Sequence, residues 1–565
     1  ADVFNRVADM LEIKGENAFR IRSYRNAARA VENMSRSVAE LVRQDHDFSS
    51  QQGIGKDLDG KIKEIVRTGS LRMLRELEGQ LPKGLQELMR LQGLGGKRVK
   101  PLHDELGIEN LKDLEGALRD RRVRELEGFG AKTEANLLSE LERVRKAGPE
   151  RFRIDRAEEI VEDYAEYLRG SKAAEHVVVA GSYRRRRETV GDLDILACGP
   201  KAGTLVKRFL AYEDVDKVLA RGESKTSVRL RGGLQVDLRL VAKRSLGAAL
   251  HYFTGSKAHN IRIRKMGVQR KLKINEYGVF RGKRRLGGSD EEEVYRAVKL
   301  PWIPPELRED QGEIEAAREG RLPALVTPED LKGDLHMHTE RTDGHATLKD
   351  MADAARARGY AYVGNTEHSR RLTMAHGLGP KDLEKQVEAV DRLNRRLKGI
   401  TVLKGIEVDI LEDGALDLPD ASLDLLDFVI AAVHSKFNLS RRKQTERVLR
   451  ALDNRRVNVL AHPTGRRIQE RPAYELDLER VIRTAAEGGV ALELDAHPER
   501  LDLNDAHCRL AKRLGAKIAI DTDAHSTDNY AFIRFGVGQA RRGWLEKDDV
   551  INTLPLSALR KFFRR

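Results

Sequence analysis

From Leu331 onward, seven strand-length apolar runs alternate with helix-like stretches, and each run ends in or beside a His, Asp or Glu. The runs are KGDLHMHT, YAYVGNTEHS, ITVLKGIEVDI, LDFVIAAVHS, VNVLAHPTG, GVALELDAH and AKIAIDTDAHS. Repeated β-then-α units restrict this part to an α/β barrel or a doubly wound parallel sheet. Such folds gather their chemistry at the C-terminal ends of the strands, where these polar residues fall.

Ten of the fifteen histidines lie in this half. His336 and His338 alternate along one strand and so share a face. Asp343 follows in a turn, and His368, Glu407, His434, His462, Asp523 and His525 end the later runs. Any one of these histidines alone is more often a satisfied core or surface residue than a ligand. Nine donors at successive strand ends are too many for one ion and suit a cluster of two or three. Clusters of this kind activate water and stabilise a leaving oxygen in phosphoester hydrolysis. Histidine-rich sets accept zinc, manganese or iron. His345, His376, His497 and His507 lie off the pattern, although His497 closes a strand within reach of a substrate. The run Arg441, Arg442 and Lys443 reads as a solvated face open to DNA contact.

A second constellation occupies AGSYRRRRETVGDLDILA, Ala180 to Ala197. Alternation puts Asp192 and Asp194 on one strand face, with Leu193 and Ile195 on the other. Adjacent carboxylates repel unless a cation lies between them, and magnesium or manganese prefers such oxygen ligands. Asp237, in the alternating run LQVDLRLV, is a candidate third carboxylate. An isolated Asp-x-Asp also fits a solvated strand edge. Upstream, however, Gly181, Ser182 and Arg185 supply backbone donors, a hydroxyl and a guanidinium for a triphosphate. Metal-binding carboxylates beside phosphate donors make a phosphoryl-transfer site.

A chain of 565 residues exceeds one hydrophobic core, so several domains are expected. The formal charge is +14, and residues 1–330 hold +10 of it, which favours a polyanionic partner for the N-terminal part. There a Gly-x-Gly turn leads three times into an amphipathic helix: Gly53 and Gly55, Gly93 and Gly95, Gly128 and Gly130. Helix N-termini behind glycine turns seat phosphates, and Lys56, Lys97 and Lys132 stand close by. The pattern is that of helix-hairpin-helix (HhH) motifs. Two distant cysteines, Cys198 and Cys508, give no disulfide framework. No run approaches a membrane span and no leader is visible, so a soluble cytoplasmic, nucleoid-associated protein with a processed end is expected.

The motif Gly-Ser-x-x-Arg, then Gly191-Asp-x-Asp, then Asp237, resembles the palm of family X DNA polymerases, the group containing polymerase beta. YFTGSKAHNIRIR and INEYGVFR resemble that family's thumb. The resemblance implies that Tyr252, Phe253 and Gly255 line the sugar pocket, Asn260 touches the incoming base and Arg264 the template. It also places Lys61 where the family keeps a Schiff-base lysine for deoxyribose-phosphate removal. Residues 331 to about 545 resemble the polymerase and histidinol phosphatase (PHP) family, with all nine ligand positions filled. Four departures stand out: Arg186 for a small glycine, Gln235 for an arginine, Asp57 for a lysine companion of Lys61, and Glu367 for an aspartate before His368.

The expected fold class is multidomain α/β and α+β. HhH-containing helical domains span 1–80 and 81–150, a nucleotidyltransferase palm 151–245, a thumb 246–320, a linker 321–330 and a distorted β/α barrel 331–565. The expected function is short-gap DNA synthesis in repair, joined to a 3′–5′ exonuclease. Its implied partners are gapped or nicked DNA and deoxynucleoside triphosphates, acting on a monomer. Its implied cofactors are magnesium or manganese in the palm and two or three divalent ions in the barrel. Two other readings are a PHP-driven 3′-phosphatase or abasic endonuclease with a weak palm, and a non-enzymatic scaffold for DNA ends.

Overall fold

Short helices dominate the first 149 residues because apolar side chains recur there at three- and four-residue spacing. In Leu111–Arg119, Leu114, Ala117 and Leu118 are buried, and the Asn110 side chain caps the helix by accepting from the Lys112 and Asp113 amides. Lys56–Thr68 buries Leu58 and Ile62. One core gathers Phe4, Leu11, Phe48 and Leu74, and a second gathers Leu85, Leu102, Leu114 and Leu137. The computed structural model describes residues 2–564 apart from 33–37, 44, 51–53, 69–70, 81–83, 86–87, 89–90, 92–93, 95, 147–150 and 223. Ala1–Pro149 form one compact unit and Glu150–Arg565 another.

The second unit opens with the helix Ile154–Arg169, which buries Ile154, Ala157, Val161, Tyr164 and Leu168 on a mixed sheet. The strands are β1 (His176–Val179), β2 (Asp192–Cys198), β3 (Val215–Arg221), β4 (Lys225–Leu230) and β5 (Gln235–Leu240). Their order is β1-β2-β5-β4-β3. β2 and β5 run parallel, with Asp194 opposite Asp237. The helices Leu246–Thr254 and Lys257–Gln269 then lead to a three-stranded antiparallel sheet over Lys273–Gly287 and the helix Glu291–Ala297. A buried ionic knot joins these parts: Glu291 accepts both ends of the Arg184 guanidinium at 2.8 Å and also pairs with the fully buried Arg308.

The stretch read as a linker, 321–330, is pinned down. The Val326 amide donates to the Leu545 carbonyl at 3.0 Å, and Val326 is fully buried.

Beyond it, parallel strands alternate with helices: β6 (Gly333–Met337), β7 (Tyr362–Asn365), β8 (Thr401–Lys404), β9 (Glu407–Asp409), β10 (Ile430–Ala432), β11 (Val459–Leu460), β12 (Ala491–Asp495) and β13 (Ile518–Asp521). β6 to β8 form one sheet and β9 to β13 another. Parallel bridges from His368 to Glu407 and from Met337 to Ala524 join the two sheets on both sides. The result is a closed, distorted β/α barrel rather than an open sheet. The C-terminal helix Leu556–Phe563 joins its Leu559 and Phe563 to Leu335, Leu403, Ile430 and Ala519 in one cluster.

Three barrel-half side chains, Ile468, Leu501 and Phe535, sit inside the mixed sheet's core cluster, so that cluster draws on both halves. Among the described residues, no helix is long and apolar enough to cross a membrane.

Candidate active centres

The acidic centre follows from strand register. Asp192 is exposed at the start of β2, Asp194 is half-buried two residues on, and Asp237 is buried on β5 directly across from Asp194. Gly181 turns the chain above them with φ +69°, and a Cβ there would stand 3.3 Å from an Asp194 carboxylate oxygen. Only glycine fits that approach comfortably. Burial raises the Asp194 carboxyl above its ordinary range; Arg239 opposes the rise, while Asp192 and Asp237 add to it. A divalent cation would relieve that cost.

Sequence reasoning missed two cations beside these carboxylates. Arg239 donates to Asp194 at 2.9 Å and lies over the Phe253 ring at 4.0 Å. Lys225 pairs with Asp237 at 2.6 Å. Arg239 was legible as the next same-face residue after Asp237, whereas Lys225 reaches the site only through β4–β5 pairing. Gln235 donates to Asp237 at 3.0 Å, so the site keeps a hydrogen bond there but no charge.

Around this centre, Ser182 is half-buried in the turn, and Gly191 precedes β2. Arg185 donates to Glu309 at 2.9 Å and to the Thr254 carbonyl at 2.7 Å. The Asn260 amide group is engaged by the Tyr252 and Gly255 carbonyls, at 2.7 and 3.1 Å. Its Oδ1 is buried without a partner, and a Cβ on Gly255 would stand 2.8 Å from it. Arg264 is exposed.

The barrel brings all nine expected donors together. Glu407 lies at the centre: its carboxylate is 2.7 Å from His368 Nδ1, 3.0 Å from His462 Nε2, 3.2 Å from His434 Nε2, 3.5 Å from His336 Nε2 and 3.6 Å from His338 Nε2. Asp523 is 3.1 Å from His338 Nε2, and Asp343 is 3.4 Å from His368 Nε2 and 3.5 Å from His525 Nε2. Three groups have donor atoms within 4.8 Å of one another: His338, Asp343, His368 and His525; His336, His338 and Glu407; His368, Glu407 and His434.

These residues fit metal ions. His336 Nε2, both His338 nitrogens, His368 Nδ1, His462 Nδ1, Asp343 Oδ1, Glu407 Oε2 and Asp523 Oδ1 are buried with no hydrogen-bond partner. Donors each about 2 Å from one tetrahedral ion stand roughly 3.3 Å apart, which is the spacing found. Burial opposes charge on His368, yet Glu407 and Asp343 outweigh it and its pKa rises to about 10. His338 is pushed down to about 3 by burial and by His368 and His525. Ion uptake therefore displaces protons from part of the set.

Two supporting residues, Glu493 and Asp409, went unseen in the sequence, whereas Glu367 stood out there as a departure. His336 Nδ1 faces Glu493 at 2.5 Å, which leaves Nε2 free for an ion. The other Glu493 oxygen accepts the His462 amide at 2.6 Å. Asp409 stands 3.4 Å from His434 Nδ1. Glu367 accepts from Thr339, Thr342 and Asn365, holding the loop that carries Asp343. Nothing in an apolar run such as ALELD distinguishes a supporting carboxylate from a ligand. Beside the cluster opens a cavity of about 500 Å³ lined by Phe437, Arg467, Arg471, His497 and Arg500. Arg441, Arg442 and Lys443 lie exposed at the start of a helix.

In the N-terminal unit, Gly55 precedes the helix starting at exposed Lys56, and Gly128 and Gly130 precede the helix from Ala131. Gly53, Gly93 and Gly95 lie outside the described residues, as do the side chains of Lys97 and Lys132. Lys61 pairs with Asp57 and lies over the Tyr24 ring at 5.4 Å. Burial pulls its pKa down, but Asp57 and Tyr24 outweigh this and hold the ammonium above its usual range.

Four family models match stretches of the chain. Residues 1–71 match a helix-hairpin-helix domain, 85–143 a SAM-like helix-hairpin-helix tandem, 249–309 the DNA polymerase beta thumb and 334–497 the PHP domain. The chain belongs to the family X DNA polymerases that carry a C-terminal PHP domain. It is 38% identical over 567 residues to the DNA polymerase/3′-5′ exonuclease PolX of Bacillus subtilis (strain 168), covering 99% of this chain and 98% of that one. Two further relatives are similar to part of the chain. A probable phosphatase of Thermoanaerobacter sp. (strain X514) is 29% identical over 39% of this chain and 89% of its own. One of Acetivibrio thermocellus is 32% identical over 37% of this chain and 83% of its own.

Proposed function

We propose that this chain fills short DNA gaps during repair by template-directed nucleotidyl transfer, and trims DNA 3′ ends in its barrel. The observation carrying the first half is the register that sets Asp194 against Asp237, with Asp192 on the same face below the Gly181 turn. Magnesium or manganese held by Asp192, Asp194 and Asp237 would neutralise the triphosphate and acidify the primer hydroxyl. Ser182 and the turn amides bind the phosphates. Asp237, buried and the deepest of the three, takes the position from which a primer 3′ oxygen is reached. Tyr252, Phe253 and Gly255 shape the sugar pocket, and Asn260 and Arg264 face base and template. Lys56, Lys97 and Lys132, with their glycine turns, track the DNA backbone.

In the barrel, two or three manganese, zinc or iron ions on the nine donors would supply the hydroxide for phosphodiester cleavage. Arg467, Arg471 and Arg500 line the neighbouring cavity and suit the scissile phosphate. His497 closes the same wall. The phosphatase relatives, similar over about two-fifths of the chain, favour a second use of this centre on 3′-phosphates. Lys61 serves as a phosphate contact, because its ammonium is stabilised rather than poised as a nucleophile. The partners are gapped or nicked duplex DNA and deoxynucleoside triphosphates, bound by a monomer in the cytoplasm at the nucleoid.

Separate losses test the assignment. Asp192→Asn with Asp194→Asn abolishes nucleotide incorporation on a one-nucleotide gap and leaves 3′ trimming. His336→Ala does the reverse. A single variant that removes both activities while the protein stays folded refutes the division of labour. A 3′-phosphorylated primer, resolved by product size, separates phosphate removal from nucleotide removal.

A further inference from the structure

The turn bearing Ser182 and Arg185 is held by the barrel half. After the single helical turn Gly181–Arg184 the chain does not continue as a helix, and Arg186 takes φ +55°, a left-handed conformation costly for a residue with a Cβ. The carbonyls of Arg185 and Arg186 then need donors from elsewhere. Both donors come from one helix more than 350 residues away, Ile533–Arg542. Gln539, buried, donates from Nε2 to the Arg186 carbonyl at 2.7 Å. Arg542, buried, donates to the Arg185 carbonyl at 2.9 Å and to Glu309 at 3.0 Å, the carboxylate that also receives Arg185 at 2.9 Å. Asp505 fixes the far side of the Arg542 guanidinium at 2.7 and 2.9 Å.

The helix reaches the turn because Gly538 lacks a side chain. A Cβ on Gly538 would stand 3.1 Å from Arg186 Cβ and 3.3 Å from its Cγ. Arg186 itself is tied by an ion pair to Glu158 at 3.0 Å and lies over Tyr183. The Arg186 side chain is therefore matched by a missing side chain on the facing helix.

We infer that Gln539 and Arg542 are positioning residues of the polymerase centre: a helix of the barrel half sets the height of the triphosphate-binding turn above Asp192 and Asp194. Their hydrogen bonds go to two carbonyls, Glu309 and Asp505, none of them a metal-suited donor. The inference rests on the palm assignment made above.

Gln539→Met and Arg542→Met, made separately in the full chain, test it. Gln539→Met removes one donor and keeps a side chain of similar length; Arg542→Met is shorter and also removes the charge that pairs with Glu309 and Asp505. Steady-state single-nucleotide gap filling should show KM for the incoming nucleotide raised about tenfold in Gln539→Met, the effect of leaving one buried carbonyl unpaired, and by more in Arg542→Met, with kcat changed far less in both. Exonuclease activity of the same preparations should stay within twofold of wild type. Hydrogen exchange should accelerate at the amides of residues 182–187. Nucleotide KM within twofold of wild type in both variants, with exchange unchanged, overturns the proposal. Equal loss of both activities overturns it too, because that marks a general structural role. Faster exchange in a protein whose wild type incorporates no nucleotide would uphold the brace and remove the polymerase assignment instead.

Discussion

Glu367→Gln turns one oxygen of a buried carboxylate into an amide nitrogen without changing its shape. In the native arrangement Oε1 accepts from Asn365 Nδ2 at 3.0 Å and from the Thr339 hydroxyl, while Oε2 accepts from the Thr339 amide at 3.3 Å and from the Thr342 hydroxyl. The hydroxyls can rotate to accept, but the Thr339 amide and the Asn365 amide group in this orientation only donate. Whichever oxygen becomes NH₂, one donor faces another. A buried donor left unmet costs about 1–3 kcal/mol. That range is about a 5- to 150-fold change in an equilibrium constant, and it overlaps the ~10- to 100-fold loss typical when support for a metal ligand is removed. The cost falls on the loop between Thr339 and Asp343, so it weakens ion binding at the edge of the cluster that Asp343 supplies. The assay is 3′ trimming of a labelled duplex across a manganese titration, with gap filling by the same protein as internal control. Trimming should drop 10- to 100-fold at low manganese and recover substantially at high manganese. Trimming within threefold of wild type across the whole titration would refute the reasoning.

Three other outcomes follow from the same geometry. Glu291→Ala strands the fully buried Arg308 without its carboxylate, so denaturant unfolding should show a loss of about 3–5 kcal/mol; a loss under ~1 kcal/mol contradicts the burial argument. Asp57→Asn removes an anion that holds the Lys61 ammonium up, so borohydride trapping of an abasic-site adduct at neutral pH should increase; an unchanged yield shows that Asp57 does not govern Lys61. Burial opposes ionisation of Glu499, but Arg467 and Arg153 outweigh it and hold its pKa at about 2, below the unfolded value of about 4.3. Its stabilising effect is therefore full above the unfolded pKa and disappears as pH falls toward 2. Glu499→Gln should flatten that limb of a stability–pH curve, and an unaltered limb counts against the ion pairs.

Much of the barrel was legible because its strands are short, buried and separated by helices, and because its donors end those strands. The strand pattern alone left barrel and open sheet both open, and the family resemblance supplied the barrel: closure depends on the Met337–Ala524 and His368–Glu407 bridges, which local periodicity does not encode. Asp192 and Asp194 could be placed on one face by alternation, since a strand's period is fixed, whereas Asp237 joins them only through the β2–β5 register. Lys225 escaped notice because a lysine in an alternating strand looks solvated until a neighbouring strand supplies its carboxylate. Glu493 and Asp409 escaped for the converse reason: each sits among apolar residues as the donors do and differs from them only in what it faces. Arg186 was visible as an oddity, but its counterpart is the absent side chain of Gly538, and such pairings across more than 350 residues leave no periodic trace.

Ile468, Leu501 and Phe535 belong by sequence to the hydrolytic half and by packing to the synthetic one. Severing the gene between the two would uncover a greasy patch on each fragment, and covering Phe535 alone is worth roughly 1.5–3 kcal/mol. Fragments made that way should be prone to clump, and a mutation that loosens either half should be felt by its neighbour. Building and erasing DNA are thus bound by a common fate in this molecule, inherited, damaged and rescued together.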